Sequence, residues 1–166
     1  MRTISVELFH YEELDAKAQA QARDWFRSSG AHEYPWHQEN MMCLTAFCAR
    51  FNSGVVKYSL GGSDNRDQGV LTSATPSDFR RLKLKDLDRE DMPIGYCMDY
   101  TLMYAMYDTF KATGSAWLGF QEAVRAFCQA YADDVDAYWG DESVAETIIV
   151  NDYEFTNDGR RLALKP

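Results

Sequence analysis

Three histidines (His10, His32, His37) and four cysteines (Cys43, Cys48, Cys97, Cys128) are the most chemically versatile side chains in this 166-residue chain. Such residues can ligate zinc or form a cysteine–histidine catalytic couple. His32, His37, Cys43 and Cys48 lie close in sequence, but without the Cys-x-x-Cys or His-x-x-x-His steps that bring ligands to one ion. Two buried cysteines on a helix and two loop histidines are the simpler expectation. An enzyme of unknown reaction would need a polar pocket joining His10, His32 or His37 to a cysteine or a carboxylate. Neither the Asp64 to Gly69 loop nor the segment around Asp134 places glycine and a terminal glutamate as a calcium loop requires. The chain also lacks a nucleophile elbow, a phosphate-cradling Gly-x-x-x-x-Gly-Lys and a dinucleotide fingerprint. The expectation is therefore a non-enzyme with no catalytic residues, no metal and no cofactor.

Carboxylates are the other chemistry available, and they are concentrated. Nine acidic residues and no lysine or arginine occur between Asp133 and Asp158. With 26 acids against 17 bases, that run carries the whole net charge of −9. Part of it has a local purpose. Asp141, Glu142 and Glu146 fall at the start of an expected helix, where each negative charge stabilises by about 0.3–1 kcal/mol, and Asp158 belongs to a turn. Asp133, Asp134 and Asp136 come instead at the end of a long helix, where negative charge opposes the dipole. Aspartate is a mediocre helix former, and three like charges within four residues repel. Tyr138 and Trp139 follow, with Trp139 the expected exposed aromatic anchor. Carboxylates spaced along a surface can stand in for nucleic-acid phosphates. A plain solvated face is the competing reading.

The elements that must position these groups follow from periodicity. TISVELF (3–9) alternates as a half-buried strand, and a helix is expected from Glu12 to about Arg27. Pro35 opens a second helix to about Phe51, with Trp36, Leu44, Phe47, Cys48 and Phe51 near one stripe. VVKYSL (55–60) is a strand, followed by a long loop over 61–77 with a short strand around Val70 and Leu71. Helices are expected over 99–113 and 116–139, joined at Gly114-Ser115. The second carries Trp117, Phe120, Val124, Phe127, Tyr131, Val135 and Tyr138 as its core stripe. Ser143 and Glu146 have capping-box spacing for a last helix. A hairpin is expected around Asn157-Asp158-Gly159, between YEFT and RRLAL. The basic patch Arg80, Arg81, Lys83 and Lys85 has two readings, a phosphate or acidic-partner site and a solvated edge strand guarded by its charges.

The class is α+β: a short antiparallel sheet with an N-terminal strand and a C-terminal hairpin, packed with about five helices in a single domain, 1–166. Apolar residues at 46% and aromatics at 14% argue against disorder. No apolar run approaches the roughly 18–20 residues that span a bilayer. The alternating N-terminus does not resemble a secretory signal, and the unpaired cysteine pattern fits reduced thiols in a cytosol. The acidic balance argues against direct nucleic-acid binding and for a basic partner.

Two segments resemble a known family. FHYEELDAKAQAQARDWFR is similar to the strand-then-helix opening of a family of small phage and prophage proteins, a "DEL-x-x-x-A-x-x-x-A-R-D-W" pattern. GDESVAETIIVNDYEFTNDGRRLAL is similar to its closing segment, "SDE-x-V-x-E-x-I-x-x-N-x-YEFT-x-DGRRL". Together they cover about 45 of the 166 residues. The middle departs from the family, with GGSDNRDQG where its members often carry GDGA. The family is often labelled antitoxin-like, from a toxin–antitoxin stability system. The resemblance implies a phage accessory gene acting in the cytoplasm of a bacterial host. Small acidic proteins of such genes include anti-CRISPR proteins that block DNA binding by Cascade-type surveillance complexes.

The expected function is therefore an anti-CRISPR-type inhibitor, evading host defence by binding a basic surface of a Cascade-type complex through a DNA-mimicking acidic face. Its expected contacts are Asp133, Asp134, Asp136, Trp139, Asp141, Glu142, Glu146, Asp152 and Glu154, with no direct nucleic acid and no membrane. Asp141, Glu142, Glu146, Glu154 and Asp158 lie on the shared closing pattern, which implies that they serve the family fold. An antitoxin neutralising a small basic toxin is the alternative, and an enzyme of unknown reaction the third.

Overall fold

The computed structural model describes residues 5–29, 33–60 and 69–162. It is an α+β fold of five α-helices and two two-stranded antiparallel sheets. The chain forms two compact units, one from 1–34 with 137–166 and one from 35–136.

In the unit built from the two chain ends, β1 (Phe9–His10) pairs antiparallel with β4 (Glu154–Phe155), Phe9 opposite Phe155 and His10 opposite Glu154. A 3-10 turn over Tyr11–Glu13 leads to α1 (Ala16–Ser28). The helix expected from Glu12 is thus broken. Leu14 and Asp15 are extended, and the Asp15 carboxylate caps α1 by accepting from the Ala18 N–H at 2.8 Å. Ala18, Ala22 and Phe26, each four residues apart, form the buried stripe of α1. They pack on Val144 and Ile148 of α5 (Asp141–Val150), with Tyr11, Leu14 and Phe155 completing the core.

The small side chains at Ala18 and Ala22 admit a close backbone approach. Gly159 (φ +80°) lies so near that an added Cβ would stand 2.1 Å from the Ala18 carbonyl oxygen. The expected turn at 157–159 is present, closed by the Gly159 N–H to Thr156 O at 2.8 Å. Among the described residues YEFT meets the second arm through the Thr156 N–H to Arg160 O at 2.9 Å, without a strand ladder. Its Glu154 and Phe155 pair with β1, so the N-terminal strand takes the place of the second hairpin arm. Residues 163–166 of that arm lie outside the described residues. Strand β1 is shorter than the expected 3–9: residues 5–8 are not in a strand, and residues 1–4 lie outside the description.

The second unit holds α2 (His37–Arg50), α3 (Cys97–Thr113) and α4 (Ala116–Tyr138) as far as Asp136. The Gly114 cap (φ +71°) ends α3 with its N–H on Phe110 O at 2.8 Å, a left-handed residue that glycine adopts without strain. Gly119 then lets α4 approach α3, since a Cβ there would meet the Met106 carbonyl oxygen at 2.6 Å. The core is aromatic: Phe47 stacks on Phe120 (centroids 5.5 Å apart), and Phe51 and Phe79 meet both each other and Phe120. β2 (Val55–Ser59) pairs antiparallel with β3 (Gly69–Thr72), confirming the short strand around Val70 and Leu71. Residues 61–68, including Gly61-Gly62 and most of the calcium-loop candidate, lie outside the described residues.

The basic patch is not an edge strand. Arg80 and Arg81 follow a 3-10 turn over Pro76–Phe79, and Lys85 lies in another over Leu84–Asp86. Two buried apolar anchors, Phe79 and Leu87, hold this irregular segment down.

Candidate functional site

The expected acidic site separates into groups with different surroundings. Asp141 is the first residue of α5, and the anchor of that helix in its own unit. Its carboxylate bonds the Arg27 guanidinium at 2.5 Å and the Arg23 guanidinium at 3.2 Å. Arg27 also donates to the Trp139 carbonyl at 3.0 Å, and Arg23 to the Tyr11 hydroxyl at 2.5 Å. The hydrogen bond from Arg27, with the nearby charge of Arg23, holds the Asp141 carboxyl below the usual carboxylate range. This clamp sets where α5 begins, with Gly140 as its N-cap. The capping box expected at Ser143 and Glu146 is therefore not formed: both residues lie inside the helix, and Ser143 O accepts from the Thr147 hydroxyl at 2.8 Å.

Asp152 adopts φ +54° in the turn after α5 and approaches His10 Nδ1 at 3.2 Å. Asp158 accepts from the Thr156 hydroxyl at 2.6 Å, which lowers its pKa, and meets Arg160 at 3.3 Å. Glu142, Glu146 and Glu154 are exposed. Trp139 is not an exposed anchor. It is half-buried against the core of its unit, 6.2 Å from the Phe26 ring and 4.8 Å from the Tyr138 ring. Its carbonyl, just past α4, accepts from Arg27, and the indole serves packing.

Asp133, Asp134 and Asp136 belong to the other unit and are all exposed, in the last two turns of α4. Asp133 accepts from the Gln129 side chain at 2.9 Å. No lysine or arginine lies in the last turn, and none occurs in sequence from 126 to 159. Three carboxylates of the acidic run, Asp141, Asp152 and Asp158, thus hold a helix start or a turn, whereas Asp133, Asp134 and Asp136 retain an unfavourable place on the helix dipole.

One turn before Asp134, the same helix buries Tyr131, whose hydroxyl shares a 2.7 Å hydrogen bond with His37 Nδ1 at the start of α2. Burial raises the Tyr131 pKa. His37 is helical, in line with the helix expected from Pro35 and not with a loop histidine, and His32 lies outside the described residues. His37 opens onto a groove of about 650 Å³ lined by Met41, Met42, Ala46, Tyr58 and Ile94 among others, with no charged residue in its wall. Trp36, expected on the core stripe of α2, precedes the first helical turn and is 53% exposed beside His37. Its N-cap conformation takes it off the helical period.

The remaining histidine and the cysteines have ordinary surroundings. His10 and Asp152 line a cleft of about 150 Å³ whose wall carries neither serine nor cysteine. Cys43 and Cys48 are buried on α2, as expected; burial, with Asp99 nearby, pushes the Cys43 thiol up to about 12, far from a reactive thiolate. Cys97, at the start of α3, is exposed, and Cys128 on α4 is partly buried. Asp99 is fully buried and accepts from the Ile94 and Gly95 N–H groups, both at 2.7 Å, which shapes the loop entering α3. Among the described residues no group of three or more His, Cys, Asp or Glu could hold a metal ion, and no helix is long and apolar enough to cross a membrane. Comparison of the chain with protein-family models, curated proteins and solved structures found no match.

Proposed function

We propose that the protein is a non-enzymatic inhibitor whose acidic helix end occupies a basic, nucleic-acid-binding surface of a host complex, as an anti-CRISPR protein of the phage accessory type would. The single observation that carries this reading is the exposure of Asp133, Asp134 and Asp136 together at the C-terminal end of α4. Each opposes the helix dipole there and the three repel one another, so their placement carries a local electrostatic cost. A surface retained against that local cost is suited to meeting positive charge. The contacts narrow from the nine residues expected to these three, with Glu142, Glu146 and Glu154 as further exposed acids of the other unit.

Binding driven by such charges is salt-dependent, since the Debye length shrinks from about 10 Å at 0.1 M to about 3 Å at 1 M. The test is a pull-down of a purified Cascade-type complex at low and high salt, with wild type and with Asp133, Asp134 and Asp136 changed together to asparagine. Wild type should be retained at low salt only, and the variant at neither. Retention of the variant would remove the acidic cluster as the contact. Capture of a small basic toxin in place of the complex would turn the reading towards an antitoxin.

A further inference from the structure

The outward face of α2 is unusual for a protein with so much charge. Gln38, Met42, Thr45 and Ala49 follow each other at steps of three and four, and all are exposed. Solvent-facing helix positions are ordinarily filled with charged residues, yet none appears here until Arg50. Met42 in this stripe is 49% exposed, and beside it lies Tyr58 of β2, 47% exposed, on the groove that His37 also lines. The volume of about 650 Å³ is within the range of sites that take apolar groups. Methionine side chains are flexible and polarizable, which suits a surface that must fit another protein.

The groove is tied to the acidic helix end by a contact within one unit. Tyr131 of α4 bonds His37 in the groove wall, and Asp134 stands three residues further along α4, on a neighbouring part of the helix surface. An uncharged, methionine- and aromatic-lined centre beside exposed carboxylates has the anatomy of an interface core with a charged rim.

We infer that this groove of α2 and β2 is the apolar half of the partner-binding surface, and that its occupant is a basic amphipathic helix of the partner protein, apolar residues in the groove and lysines or arginines towards Asp134. The inference builds on the acidic-surface reading above. It commits to a helix because the stripe is straight and runs for three turns, and to a basic one because the neighbouring charge is negative. Acidic helices lack that complementarity, and a second copy of this chain carries a net charge of −9.

Two synthetic peptides of equal charge and length separate the two readings: a lysine–leucine peptide with an amphipathic helical pattern, and a lysine–serine peptide with the same lysines. Each is titrated into the full-length 15N-labelled protein at low salt. The leucine peptide should bind at least tenfold more tightly, with shifts concentrated at Met42, Thr45, Ala46 and Tyr58 as well as Asp134. Met42→Gln and Thr45→Gln, uncharged changes at exposed positions, should each abolish that advantage and leave lysine–serine binding unchanged. Equal binding of the two peptides would overturn the groove while leaving the acidic reading standing, and binding of neither would overturn both. Sedimentation showing a dimer that Met42→Glu dissociates would assign the groove to a second copy and overturn the inference.

Discussion

Replacing Gly159 by alanine should be among the most damaging single-methyl changes in the smaller unit. The residue sits at φ +80°, where an L side chain costs about 1–2 kcal/mol. Its new Cβ would lie 2.1 Å from Ala18 O, 2.8 Å from Ala18 C and 3.0 Å from Ala18 Cα, all inside ordinary contact distance. These are backbone atoms of α1, so no side chain can rotate away, and overpacking of this kind costs about 1–3 kcal/mol. Alanine also stiffens the unfolded chain, which returns about 0.4–1 kcal/mol. The net loss is about 1–5 kcal/mol, a fall in Tm of roughly 2–20 °C for a chain of this size. The assay is urea denaturation followed by tryptophan fluorescence, with Gly69→Ala as control. At Gly69 an added Cβ meets nothing within 4 Å and the backbone is not left-handed, so its change should be small. A Gly159→Ala protein within about 0.5 kcal/mol of wild type would refute the close approach of the closing turn to α1.

Asp99→Ala should lower stability by about 2–4 kcal/mol in the same assay, because it removes a buried acceptor and leaves the Ile94 and Gly95 N–H groups unsatisfied. Asp141→Asn should change the pH profile of Tm: the wild-type carboxyl has its pKa lowered in the folded state, so its stabilisation is present above the unfolded value near pH 4 and is lost as pH falls through the folded value. The variant should show a shallower acid decline, and an unchanged slope would show that the arginine clamp is not coupled to folding. Trp139→Ala should lower stability through lost packing on Phe26 and leave binding of the lysine–leucine peptide intact, as measured by the same titration. Substituting Asp133, Asp134 and Asp136 together by asparagine should leave Tm unchanged or raised, since it removes charges that oppose the α4 dipole.

The α3–α4 pair was legible because each helix has its own local signals: a strong 3.6-residue stripe in α4 and a glycine stop at Gly114. The capping residue Asp15 was visible too, but its role as the start of α1 was not, since acids at 12, 13 and 15 all fit a helix beginning earlier. Strand pairing was the least accessible part. YEFT carries a hairpin signal, yet its partner β1 comes from the opposite end of the chain, and no local pattern names a non-local partner.

The two tryptophans show the same limit within the site. Trp36 fitted a core stripe by period but precedes the helix that sets the period. Trp139 stood among charges, and yet its ring packs on Phe26 while its carbonyl accepts from Arg27. Charge in the sequence revealed the acidic run, whereas the sorting of Asp141 from Asp133, Asp134 and Asp136 needed the positions of Arg23 and Arg27.

The most direct measurement of the central claim is competition for DNA. A purified Cascade-type complex bound to labelled target DNA would be titrated with the protein at about 0.05 and 0.5 M salt, a range over which charge–charge attraction is strongly screened. The account predicts DNA displacement by wild type that weakens at the higher salt and a loss of at least tenfold in the Asp133, Asp134 and Asp136 triple asparagine variant. Displacement by that variant at the wild-type concentration would contradict it.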